Sequence, residues 1–337
     1  MQAVLRERIV RRTESYLLGV LVLLSLLLSA LSPAFLTLEN AFDILRNYAF
    51  LGILALGELV VLISGGIDVS FMAVATVAQY VMAVVITRYA IDSVLVAFLL
   101  PLPVGTALGA LNAVLIHYTQ VHPVIITIAT LSVYYGILVF VTGGTWIYNL
   151  PASFFEFSQL KVVRVVDDAG IAHGLSVLTV LWILAIALTW FILNYLPIGR
   201  KVYALGGNPE AARRAGFNIF SIRLFVYSYM GFLAGLAGFV QGQLTQLIQP
   251  NSMVGRELDV LAAAVLGGAS VFGGVGTAAG TVLGVLTVAI VRNGLILLKI
   301  SSYWHEVVIG MILAFAAGVT AYQGKQRSRR MVRIDVR

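Results

Sequence analysis

Long apolar runs, separated by short stretches that hold charges, glycine or proline, set the pattern of this chain. Bounding the apolar windows at those interruptions gives ten stretches, at 16–36, 44–64, 69–90, 94–118, 122–142, 174–196, 220–245, 257–272, 277–298 and 304–322. Crossing a hydrocarbon core about 30 Å thick takes about 20 mostly apolar residues in a helix. Closed β-barrels are the other structure that satisfies its backbone in lipid, and their strands alternate apolar and polar positions. Runs such as Leu17–Leu31 and Leu99–Leu115 show no such alternation. The pattern therefore predicts an all-α integral membrane protein, a polytopic bundle of about ten transmembrane helices. It forms a single domain, with 16–322 in the membrane and no soluble-domain boundary. No short-period repeat is visible, although two blocks of four spans flank the sixth.

Composition agrees. Apolar residues make up 60% of the chain and charged residues only 11%, where a soluble domain carries about a quarter charged. Arg6, Arg8, Arg11 and Arg12 ahead of the first apolar run resemble the start of a signal peptide. No clear small-x-small site follows, and Pro33 stands where cleavage would fall, so the run reads as a retained first span. The chain has no cysteine, which removes disulfides, thiolate metal sites and cysteine nucleophiles.

The net charge of +7 reflects membrane topology, not a nucleic-acid partner. With the N-terminus inside and ten spans, fifteen of the 22 basic residues fall on the inner side: Arg6, Arg8, Arg11, Arg12, Arg200, Lys201, Arg213, Arg214, Arg223, Lys325, Arg327, Arg329, Arg330, Arg333 and Arg337. Cytoplasmic loops are enriched in this way. Glu39, Asp43, Asp92, Glu156, Asp167, Asp168, Glu257 and Asp259 lean outward. This orientation puts a loop at 200–219 and a basic tail at 323–337 in the cytoplasm. The longest outer connection, 143–173, holds Trp146, Tyr148, Phe154, Phe155 and Phe157. It reads as an interfacial helix or as a cap over the outer mouth.

The inner loop carries a compact charged segment. Asn208 suits an N-cap, Pro209 the first helical position, and Glu210 the positive helix end. Arg213 and Arg214 fall in the last turn, and Gly216 is placed to end the helix. Gly206 and Gly207 predict a sharply bendable approach. Ala211, Ala212 and Ala215 stand among the charges, giving a short amphipathic rod that a partner groove could receive.

Two other glycine-rich stretches interrupt apolar sequence. In Gly65-Gly66-Ile-Asp68-Val-Ser70 the glycines loosen a helix, and irregular backbone at membrane depth must be buried or line water. Asp68 there either caps the next helix or belongs to a gate or path, and both roles can hold. In Gly267-Gly268…Gly273-Gly274-Val-Gly276-Thr277 no Gly-Lys-Ser/Thr follows, so this is no phosphate-binding loop; close helix crossings or a tight turn account for it. Gly324-Lys325 runs on to Gln326 and does not qualify either.

Within or near the apolar windows lie Glu58, Gln79, Asn112, Thr127, Thr130, Asn194, Gln241, Gln243, Gln246, Asn293 and Glu306. Ionisable residues in spans normally face a cavity or a partner. Of these, Glu58, Gly65, Gly66, Asp68, Ser70, Gln79, Asn112, Thr127 and Asn293 are the candidates for a translocation path or gate, with Glu58 first. Scattered amides and hydroxyls suit a neutral, hydroxylated solute. No run of carboxylates suggests a proton relay or sodium site. His117, His122, His173 and His305 lack metal spacing, His305-Glu306 lacks the second histidine of a zinc-protease motif, and no Gly-x-Ser-x-Gly elbow occurs. The expectation is a transport subunit with no metal, cofactor or catalytic site.

Three ordered motifs resemble one family across nearly the whole chain: Ala204-Leu-Gly-Gly-Asn-Pro-Glu-Ala-Ala-Arg-Arg-Ala-Gly-Phe-Asn218, Ile63-Ser-Gly-Gly-Ile-Asp-Val-Ser70, and Val265-Leu-Gly-Gly-Ala-Ser-Val-Phe-Gly-Gly-Val-Gly-Thr277 followed by Ser301-Ser-Tyr-Trp304. They are similar to bacterial ABC-importer permeases for monosaccharides, the ribose/xylose/autoinducer-2 group. The resemblance implies a type II ABC-importer-like bundle in the bacterial inner membrane. It further implies two permease subunits per complex, a cytoplasmic ATP-binding subunit and a periplasmic solute-binding protein. It makes Gly206, Gly207, Asn208, Pro209, Glu210, Ala211, Ala212, Arg213, Arg214 and Gly216 the coupling segment that receives ATP-driven motion. The chain departs from many relatives at Phe71-Met72, where they carry a glycine-containing turn. Val141-Thr-Gly-Gly-Thr-Trp146 and Ser64–Phe71 lean toward the autoinducer-2 or deoxy-sugar branch. A permease for branched-chain amino acids or nucleosides, and a stand-alone secondary transporter, are the alternatives.

Overall fold

The computed structural model describes residues 2–166, 172–301, 303–305, 307, 308, 310, 311, 314 and 318. Much of the expected span at 304–322, Glu306, Asp167, Asp168 and the tail at 323–337 lie outside the described residues.

Helices α1 (Gln2–Leu31), α2 (Leu38–Asn47), α3 (Ala49–Ile63), α4 (Phe71–Arg88), α5 (Val94–Leu99), α6 (Pro101–Thr119) and α7 (Pro123–Thr142) come first. After a short helix α8 (Ala152–Gln159) and a hairpin of β1 (Lys161–Val166) and β2 (Ala172–Ser176) follow α9 (Val177–Tyr195), α10 (Pro197–Gly207), α11 (Pro209–Arg214), α12 (Ile219–Thr245), α13 (Glu257–Leu266) and α14 (Ala278–Leu297). Thr37, Ser176, Asn208, Asn218 and Thr277 each turn a side-chain oxygen onto an N–H of the helix they begin. Such caps satisfy amides the helix itself leaves without partners.

Among the described residues seven helical stretches are long and apolar enough to cross a membrane, and α2–α3, bent by 48°, makes up to eight. The expected span at 257–272 is different. Its helix, α13, ends at Leu266 after ten residues, about 15 Å at 1.5 Å per residue, half the hydrocarbon thickness. Gly267, Gly268 and the turn behind them stop it. Irregular chain at 246–256 precedes it, buried at Ile248 and Met253, as non-helical backbone at this depth requires.

Helix α3 is the centre. Every one of its residues is buried, because its sequence is apolar all round and it needs neighbours on every side. Helix α12 packs along α3, α4 and α6. Its approach to α6 brings the two backbones into direct contact. A methyl group at Gly105 would lie 2.1 Å from the Gly231 carbonyl oxygen, one at Gly109 2.1 Å from that of Tyr227, and one at Gly235 2.2 Å from that of Pro101. Only glycine permits such contact, the small-residue packing that replaces the hydrophobic effect between helices in lipid. Gly267, Gly280 and Gly284 join α13 to α14 in the same way.

At the end of the bundle away from α11, the outer connection expected at 143–173 contributes the short helix α8 and the strands β1 and β2 among the described residues. Phe154 and Phe157 of α8 meet Phe239 of α12, which also receives Phe98 edge-on. Asp92 accepts the Ser153 N–H at 2.9 Å, and an isolated bridge pairs Ile147 with Ile248. The hairpin was not anticipated; Val162, Val163 and Arg164 are exposed, and no alternation toward a core marks it.

Gly109→Ala and Gly231→Ala are each expected to lower the thermal unfolding midpoint of the purified protein in detergent, through an overpacking cost of about 1–3 kcal/mol. Gly136→Ala, where nothing lies within 4 Å, should leave it unchanged. Equal midpoints for all three would contradict the crossing described.

Candidate translocation and coupling site

The segment between α9 and α12 is built much as its residues dictate. Asn208 leaves helical geometry at φ −161°, and its Oδ1 accepts the Ala211 N–H at 3.0 Å. Pro209 opens α11, Glu210 sits in its first turn, Arg213 and Arg214 in its last, and Gly216 ends the turn at φ +79°. Asn208, Pro209, Glu210, Ala211, Arg213, Arg214, Ala215 and Gly216 are all exposed. Two expectations need correction. Gly206 and Gly207 form no flexible approach; they are the last helical residues of α10, and the break falls at Asn208. Ala212 does not join the outward face. It is 3% exposed and anchors the rod to the bundle, because the helical period turns it away from Glu210 and Arg214.

The unwound stretch 64–70 between α3 and α4 contains the second group. Gly65 takes φ +83°, and Gly65 and Gly66 return their N–H groups to Leu62 and Val61 carbonyls. Past them a chain of hydrogen bonds runs in one direction. The Tyr134 hydroxyl donates to Asn112 Oδ1 at 2.9 Å. Asn112 Nδ2 donates to Ser70 Oγ at 2.7 Å. Ser70 Oγ donates to Asp68 Oδ1 at 2.6 Å, and the Ser70 N–H reaches the same oxygen at 2.7 Å. The Asp68 N–H donates to Glu58 Oε1 at 3.3 Å, and the Val69 N–H to Thr127 Oγ1 at 3.3 Å. Glu58, Asp68, Ser70, Asn112 and Thr127 are each at most 1% exposed. Asp68 thus pins Ser70 through a local turn and does not cap α4, whose N-cap residue makes no side-chain cap bond.

The structure therefore brings Glu58, Gly66, Asp68, Ser70, Asn112 and Thr127 to one buried place, with Gly65 exposed at its edge. Gln79 is elsewhere, against Gly238 and Gly242 of α12, and its amide, like that of Gln243, has no hydrogen-bond partner. Asn293 is farther still. It exchanges two hydrogen bonds with Asn40, at 2.7 and 3.1 Å, and lines a cleft of about 240 Å³ with Tyr48, Phe50, Gln241 and Arg256 at the opposite end. Beside it the buried Asp259 pairs with Arg292 at 2.9 Å.

Sequence reading missed several contributors. Tyr134 and Tyr227 carry polar tips in apolar helices, and Tyr227 stands so close that a methyl group at Gly66 would lie 2.4 Å from its hydroxyl. The glycine spacings Gly105-x-x-x-Gly109 and Gly231-x-x-x-Gly235 were visible signals of a tight crossing. Nothing in sequence marked Asn40 as the partner of Asn293.

The third glycine group meets the other two. The Gly274 N–H donates to the Ile63 carbonyl at 2.8 Å, and the Tyr203 hydroxyl of α10 donates to the Gly276 carbonyl at 2.7 Å. The turn 267–277 therefore lies against both the end of α3 and the end of α10.

A family model described as branched-chain amino acid transport system / permease component matches residues 40–317. The chain is 34% identical over 305 residues to the ribose import permease protein RbsC of Escherichia coli (strain K12), covering 90% of this chain and 92% of that protein. It is 30% identical over 301 residues to the D-allose transport system permease protein AlsC of the same strain, covering 89% of each. To the autoinducer 2 import system permease protein LsrC of Photorhabdus laumondii subsp. laumondii it is 31% identical over 316 residues, covering 94% of this chain and 90% of that protein. No solved structure matches the chain.

Replacing Asn112 by Leu would strip partners from Ser70 and Tyr134 and is expected to cost about 1–3 kcal/mol, the penalty for leaving buried polar groups unpaired. Adding Tyr134→Phe should then cost less than it does alone. Strict additivity in thermal unfolding would contradict the network.

Proposed function

The chain belongs to the permease family of binding-protein-dependent ABC importers, and from that premise we propose that it is the membrane subunit of an ATP-driven importer of a monosaccharide or similar small polyhydroxylated solute. It sits in the bacterial inner membrane, which its family membership and its apolar helices support. ATP hydrolysis belongs to a cytoplasmic subunit that grips α11, and a periplasmic solute-binding protein delivers the cargo to the opposite end. A second permease subunit completes the complex, with the solute path between the two.

One observation carries this reading. A six-residue, fully capped helix with Glu210, Arg213 and Arg214 exposed stands between two membrane helices and rests on the bundle through Ala212. A surface turn of no function has no need of a buried anchor and an outward charged face. The relatives named for ribose, allose and autoinducer 2 support a sugar cargo. The family description names branched-chain amino acids, which makes an amino acid the alternative cargo.

Cells carrying the chain with its ATP-binding and solute-binding partners should take up labelled ribose or a related sugar, and lose that uptake when this chain alone is deleted. Uptake of labelled leucine in place of any sugar would overturn the cargo. Glu210→Ala and Arg213→Ala should abolish uptake while the protein remains folded in the membrane; full uptake by both would contradict the role of α11.

A further inference from the structure

We infer that Gly206, with Ile63 and Gly274, forms a rigid junction through which movement of α11 reaches the break at 64–70 and the buried Asp68 and Ser70 within it. This rests on the transport reading above and assigns a positioning role that the coupling helix alone does not explain, because α11 itself touches none of the buried polar residues named.

The geometry is a three-way backbone contact. A methyl group at Gly206 would lie 1.8 Å from the Ile63 carbonyl oxygen and 2.8 Å from the Gly274 nitrogen. One at Gly273 would lie 2.6 Å from the Gly206 oxygen and 2.9 Å from the Gly65 Cα. The Gly274 N–H to Ile63 carbonyl bond closes the contact at 2.8 Å. Three glycine pairs far apart in sequence thus touch through main chain alone, and Tyr203 ties α10 to the same turn.

Main-chain contact matters for transmission. A side chain can absorb a displacement by changing rotamer, whereas helix ends in direct contact move together, since packed interfaces switch between arrangements and do not deform smoothly. Gly206 is two residues from Asn208, where α11 begins, and Gly65 is three residues from Asp68. A shift of α11 therefore bears on Ile63 and Gly65 at the start of the break, and from there on the Ser70–Asn112–Tyr134 chain. The Gly273–Gly274 turn carries the same shift to α13 and α14. The Gly207 backbone also lies against Gly274, but a methyl group at Gly207 would meet nothing within 4 Å, so of the pair only Gly206 excludes a side chain.

The test uses the whole complex in membranes, with a single cysteine introduced as Val69→Cys into this cysteine-free chain. Labelling by an impermeant thiol reagent should change between nucleotide-free and ATP-bound states. Gly206→Ala should remove that change and lower solute imported per ATP hydrolysed by at least about tenfold, the overpacking penalty falling on one of the two arrangements. ATP hydrolysis itself should persist, which a mere folding defect would not allow. Gly136→Ala is the matched helical control and should behave as the parent. If Gly206→Ala does not reach the membrane, Tyr203→Phe decides, with uptake per ATP reduced if the junction transmits and unchanged if it does not. Normal coupling in Gly206→Ala overturns the junction and leaves the importer reading intact. Absence of any sugar uptake by the parent complex overturns that reading, while the nucleotide-dependent labelling still reports on the junction.

Discussion

An unwound peptide segment inside a helical bundle must find partners for its polar groups, and residues 64–70 find them in their own turns and in the helices around them. Glu58 comes from α3, Asn112 from α6, and Thr127 and Tyr134 from α7. The constraint is severe, since an unpaired polar group in hydrocarbon costs several kcal/mol. The α6–α12 crossing meets it. Glycines at 105, 109, 231 and 235 let the two backbones touch, and the same approach seats Asn112 of α6 at the break, where it reaches Ser70. Larger residues there would hold the helices apart and disturb that contact.

Glu58 and Asp68 are buried acids whose geometry favours a structural lock over a solute-binding surface. Both lie in packed protein, and two clefts among the described residues are at the other end, lined by residues such as Asp43, Lys161 and His173 in one and Gln241 and Asn293 in the other. A lock of this kind has value in a transporter, because it holds one arrangement until a force from outside the membrane favours another. ATP binding at a partner changes the balance only through contacts that differ between the two arrangements. The exposed rod α11 and the main-chain junction beneath it are the contacts proposed for this role.

Much of this was legible in the sequence. Uninterrupted apolar runs gave the helical bundle, and the Asn-Pro-Glu start with a paired arginine end gave the capped rod. Two of the glycine stretches pointed to irregular backbone at 64–70 and a turn at 267–277, whereas Gly206 and Gly207 are helical. The meeting of all three did not show, because contact between residues 65, 206 and 273 is a property of the folded bundle and leaves no local pattern. The short α13 was read as a full span since apolar composition continues through Gly267 and Gly268, where helix geometry stops. Asn293 and Glu58 looked alike as polar residues in apolar windows, yet one pairs with Asn40 near the far cleft and the other supports the break. Hydropathy records burial and says nothing of which neighbour a side chain meets.

The central claim is that α11 lies in the cytoplasm and is held by an ATP-binding subunit. It is tested most directly by a single cysteine placed as Ala211→Cys, on the exposed face of the rod, in the assembled complex within native membranes. A thiol-directed crosslinker should join this chain to the ATP-binding subunit, and an impermeant thiol reagent added outside intact cells should not reach the site. Labelling from outside, with no crosslink to that subunit, would contradict the account.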